Sequence, residues 1–247
     1  GPEFMVMNSV NEEKALLAID SIEDQETLKQ AAYHGNWSAV RRKAFRKITD
    51  QKILEEMAIR PGFYYLSPPF NVEAAKQITD PNILYRLATH DANVEVATIA
   101  IDKISDQDML EQVAQNAHHF DVRSIATERI DNIALLEKIA VSDEFYSVRL
   151  EAVNRVTNQG LLEKIAINDE SYFVRSAALK KVTNQNVLEK AFYLEEKEGN
   201  SQSDIIKSLD NQVILTKIVL SEVKRQDGQE MSAWFALRDR QEFTGIP

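Results

Sequence analysis

Four histidines, His34, His90, His118 and His119, are the side chains best suited to move a proton or bind a metal at neutral pH. None stands at the helical spacing that puts two ligands on one face. No His-Glu-x-x-His motif is present. The chain has no cysteine, so thiolate chemistry and disulfides are excluded. Its seven glycines are scattered and build no phosphate loop. Carboxylates are abundant, but nothing pairs them as acid and base. His118-His119 reads as a polar turn. No catalytic constellation, metal site or cofactor is expected, and the chain reads as a non-enzyme without a small-molecule ligand.

The remaining charged groups that could act are cations, and they are periodic. Taking Val148 as position zero, equivalent positions are Lys14, Val40, Phe70, Val96, Val122, Val174 and Ser201. Most successive starts are 26 residues apart, as from Val122 to Val148 and from Val148 to Val174; one interval is 30 and the last 27. Position one holds Arg41, Arg123, Arg149 and Arg175. Position seven holds Lys47, Lys103, Arg129, Arg155 and Lys181. The second repeat is densest, with Arg41, Arg42, Lys43, Arg46 and Lys47. These cations lie in the first half of each repeat, so a chain of net charge -10 and pI about 5.0 concentrates its positive charge there. That acidic total argues against generic polyanion binding.

Stacked helix pairs must position these residues. Position four is Ala18, Ala44, Ala74, Ala100, Ala126, Ala152, Ala178 and Ile205, and position eight is always Ile, Val or Leu. Position fourteen is leucine in every copy, from Leu28 to Leu215. Position eighteen is alanine from Ala32 to Ala166, then Phe192 and Val219. Spacings of 4, 4 and 3 to 4 are helical. Position ten is Asp24, Asp50, Asp80, Asp106, Asn132, Asn158, Asn184 or Asn211. Asp and Asn are favoured N-caps, and Pro81 follows Asp80 where proline is tolerated. The second helix of each pair is therefore expected at or just after position ten. One pair cannot bury its apolar face alone, so a stack is required.

The units Val-Arg-x-x-Ala at 122–126, 148–152 and 174–178 resemble HEAT-like repeats of the short bacterial kind, with Asp143, Asp169 and Asp91 five residues before the Val. The resemblance spans roughly residues 12–220 and implies an all-α fold, an α-α superhelix of about eight two-helix repeats. It further implies that the Val-Arg helix lines a concave face, giving a basic groove with an acidic back. Alkylpurine DNA glycosylases of this fold use Trp and Asp in a basic groove. Here Trp37 sits in a turn and Trp234 in the presumed cap. Phycobilin lyases are also similar, yet nothing identifies a chromophore site. One elongated domain is expected over 5–220, with a C-terminal cap and tail at 221–247. The opening Gly-Pro-Glu-Phe, residues 1–4, reads as a cloning scar. No apolar run reaches the roughly 18 residues of a membrane span, and a cytoplasmic protein is expected.

Three departures from the repeat stand out. The 30-residue interval inserts Phe63, Tyr64, Tyr65 and Pro68-Pro69 into 61–70, either as a binding loop or as a cover for its own repeat. Glu195 to Asp204 reads as a polar loop. Met231 to Phe243, with Trp234, reads as the capping helix. A smaller periodicity places Phe120, Tyr146 and Tyr172 two before the Val, either as packing residues or as an aromatic row on one edge. The cations also have two readings. They can satisfy helix ends and acidic turns, or they can form a groove for an acidic protein surface using Arg41, Arg42, Lys43, Arg46, Lys47, Arg123, Arg129, Arg149, Arg155, Arg175 and Lys181 together with Phe63, Tyr64 and Tyr65. The expected activity is protein binding as a scaffold, adaptor or inhibitor of the immunity type; nucleic acid in the same groove is the alternative partner.

Overall fold

A computed structural model describes residues 2, 10–60, 70–90 and 93–224. All sixteen regular elements among them are helices. The chain divides into two compact units, residues 1–130 and 131–247.

The first unit holds α1 (Glu12–Asp20), α2 (Gln25–His34), α3 (Ser38–Arg46), α4 (Gln51–Ile59), α5 (Asn71–Gln77), α6 (Pro81–His90), α7 (Val94–Asp102), α8 (Gln107–Asn116) and α9 (Phe120–Arg129). The even-numbered helices α2, α4, α6 and α8 pack in succession, and among the odd-numbered ones α1 packs on α3, α5 on α7 and α7 on α9, so the helices sort into two layers. The second unit holds α10 (Ile133–Ser142), α11 (Tyr146–Arg155), α12 (Gln159–Asn168), α13 (Tyr172–Leu179), α14 (Gln185–Glu198), α15 (Ser203–Ser208) and α16 (Gln212–Lys224). Here α11, α13 and α15 pack in succession, and α12 packs on α14. Helices packed on their successive neighbours are consistent with a helical-repeat solenoid.

The period-26 pattern is a burial pattern. Position fourteen is buried in all eight copies, and so is position eighteen. Position four is buried from Ala44 onward and half-exposed at Ala18. Alanine there lets first helices approach closely, while leucine at fourteen fills the space between layers.

All eight position-ten side chains cap. Asp24 accepts from the Thr27 amide, Asp50 from Lys52 and Ile53, and Asp80 from Asn82 and Ile83. Asp106, Asn132 and Asn158 each take the amide three residues on. Asn184 takes that of Asn186, and Asn211 those of Val213 and Ile214. Each satisfies amides that the first turn would leave unpaired.

The polar run from Glu195 is not a loop at its start. Helix α14 continues through Glu198 and ends in a Schellman motif, with Gly199 left-handed at φ 75°. The Gly199 amide donates to the Glu196 carbonyl and the Asn200 amide to that of Glu195. Glu195 is fully buried because it closes an ion pair with Arg175, a partner twenty residues away that local polarity does not reveal.

Met231 to Phe243, including Trp234, lies outside the described residues. So do Phe63, Tyr64 and Tyr65.

Candidate functional site

Four of the five position-seven cations reach carbonyls at the carboxyl end of the preceding first helix. Lys47 Nζ donates to the carbonyls of Ile19, Asp20 and Ile22, at 2.8 to 3.0 Å. Lys103 does the same to Ala75, Lys76 and Ile78, and Lys181 to Val153, Asn154 and Val156. Arg129 reaches Ile101 and Ile104. Each cation satisfies orphan carbonyls and sits at the negative end of a helix dipole. Burial lowers the pKa of Lys103 and Lys181, because desolvation disfavours the charge. Arg155 lies 3.7 Å from the Asp131 carboxylate.

Replacing Lys181 with Met strips three carbonyls of their donor. We expect a loss of about 1.5–3 kcal/mol, read from the urea midpoint at unchanged m-value. Lys181→Arg should keep most of it, since Arg129 fills the same role at the same position. Equal stability of Lys181→Met and the parent would show that water replaces the ammonium at no cost.

Position one is turned inward. Arg149 and Arg175 are buried. Arg149 Nη1 donates to the Asp143 and Glu144 carbonyls, while Nε and Nη2 grip Asp169 at 2.8 and 3.0 Å. Arg175 repeats the arrangement on the carbonyls of Asp169 and Glu170 and on the carboxylate of Glu195. The carboxylates raise both guanidinium pKa values. Arg123, also buried, donates to the Ala117 and His118 carbonyls. Arg41 donates to Gly35, and its Nε is buried with no acceptor among the described residues.

Pattern reading identified no role for the glutamine at position eleven, which forms a third ladder. Gln25 Oε1 accepts the Thr49 and Asp50 amides, Gln51 those of Thr79 and Asp80, and Gln185 those of Asp210 and Asn211. Gln159 Nε2 donates to the Lys181 carbonyl. The signal was a recurrent Asp/Asn-Gln dipeptide, but the partners lie one repeat away.

Among the candidate cations, two on α3 differ from those at positions one and seven. Arg42 and Arg46 are exposed and have no hydrogen bond or ion pair among the described residues. Lys43 between them is tied to the Asp20 carboxylate and the Leu16 carbonyl. Comparison with protein-family models, with curated proteins and with solved structures finds no match to this chain.

Two described residues, Arg60 just before the 61–70 stretch and Phe70 at its end, are held by aromatic rings. Arg60 lies 4.6 Å over the Tyr33 ring, and Phe70 stacks on Phe45 of α3 at 4.6 Å. Among the described residues no group of three His, Asp or Glu could hold a metal ion, and no helix is long and apolar enough to cross a membrane. His118 and His119 form the turn before α9, their rings edge to face at 5.4 Å.

Proposed function

We propose that this chain is a HEAT-like α-solenoid of eight two-helix repeats that serves as a non-catalytic, protein-binding scaffold or adaptor. Its contact region is α3, through Arg42 and Arg46, together with residues 61–70, which carry Phe63, Tyr64 and Tyr65. The partner is a protein with an acidic surface. The observation that carries this reading is the contrast within the cations. Those at positions one and seven are engaged by the backbone, turns and neighbouring carboxylates, whereas Arg42 and Arg46 are exposed on the helix that anchors Phe70. Arginine and aromatic side chains are the residue types enriched in binding hot spots. Nucleic acid on the basic surface is the alternative and is an outcome of the test.

Arg42→Glu/Arg46→Glu is the test variant, used as bait beside the parent in capture from nuclease-treated lysate. Like charges across an interface cost several kcal/mol, so recovery of a stoichiometric partner should fall at least about tenfold with helicity unchanged. Equal recovery by the variant removes this surface. A catch that vanishes with nuclease points to nucleic acid.

A further inference from the structure

The second unit carries an exposed aromatic edge. Two successive turns have the same construction, Asp143-Glu-Phe-Tyr-Ser-Val and Asp169-Glu-Ser-Tyr-Phe-Val. In each, the aspartate turns back on the chain: Asp143 Oδ1 accepts the Phe145 amide and Asp169 Oδ1 the Ser171 amide. A buried arginine then clamps both turn carbonyls, Arg149 in the first and Arg175 in the second. What this rigid backbone displays is aromatic. Phe173 is 62% exposed, Tyr146 48% and Phe145 40%. Tyr146 and Phe173 stack across the two turns at 5.8 Å, and Tyr172 meets Phe173 at 5.9 Å.

Within the two turns, up to each Val, the charge has one sign. Neither turn contains Lys, Arg or His before its Val, and each exposes a glutamate beside its aromatics. The Glu170 side chain is 82% exposed even while its carboxylate meets Arg149. Aromatic faces and carboxylates both attract cations, and guanidinium groups best of all. The turns are clamped in advance, so binding orders little of this chain.

We propose that the edge formed by Phe145, Tyr146, Tyr172 and Phe173, with Glu144 and Glu170, docks an arginine-rich, extended segment of a partner protein. Packed helices such as α11 and α13 lie roughly 8–10 Å apart, and an extended chain advances about 3.3 Å per residue. Arginines three residues apart therefore meet successive turns. This surface shares no residue with the α3 patch and binds the opposite charge.

The probe is a fluorescein-labelled (Arg-Gly-Ser)4 peptide, titrated with the full chain and followed by anisotropy at near-physiological salt. The parent should bind saturably, and a (Glu-Gly-Ser)4 peptide should not. Tyr146→Ala/Phe173→Ala should weaken binding about tenfold or more at unchanged far-UV circular dichroism. Phe173→Ser, a single change at an exposed site, should weaken it in the same direction if the double variant unfolds. Arg42→Glu/Arg46→Glu should bind no more weakly than the parent, which separates this surface from the α3 patch. No binding by the parent overturns the proposal. So does parental affinity in the aromatic variants, because attraction by net charge alone would then account for the signal.

Discussion

Arg175→Ala lowers the stability of this protein by about 3–5 kcal/mol, the range for removing one partner of a buried ion pair. Arg175 Nε and Nη2 donate to Glu195 Oε1 and Oε2 at 2.6 and 2.9 Å, and both side chains are almost wholly shielded from water. Truncation leaves the Glu195 carboxylate buried with the Asn200 side-chain amide at 2.8 Å as its remaining side-chain partner of the network. It also takes a donor from the Asp169 and Glu170 carbonyls. Arg175→Met/Glu195→Leu removes both charges and should recover most of the loss, because desolvation largely offsets the Coulombic gain of the intact pair. Urea unfolding followed by circular dichroism measures both. A loss under about 1 kcal/mol for Arg175→Ala would show that Glu195 behaves as a surface carboxylate.

Leu162→Ala costs about 2–5 kcal/mol through lost transfer energy and the cavity left behind. Leu162, position fourteen of its repeat, is fully buried on α12, which packs on α13 and α14. Small Ala166, one turn on, cannot fill the space by rotamer change. Ile133→Ala is the matched control: this residue opens α10 and is 53% exposed. Its cost should stay within about 0.5 kcal/mol, as for other surface changes. Equal losses at the two sites would mean that the position-fourteen register does not define the core.

The sequence by itself determined the helix pairs. Leucine at fourteen and Ala at four repeat with the period, and burial follows them, because burial on a stacked helix depends on its periodic face. The Asp and Asn caps were equally legible, since a cap acts two or three residues along its own chain. The cations were legible as a ladder but not as to direction. Arg41 and Arg42 are neighbours in sequence, yet about 100° apart around the helix. One points its guanidinium at the Gly35 carbonyl and the other stands exposed.

Tertiary structure decided the rest. The acceptors of Lys47 and Lys181 and the carboxylate partners of Arg149 and Arg175 lie 20 to 28 residues away in the chain. So does the turn that Gln25 ties down, and Glu195 looked like loop until its partner was known. A charged side chain reports its sign locally. Whether it holds the scaffold or faces a partner depends on which carbonyls and carboxylates the next repeat brings to it, and that is fixed only when the repeats stack.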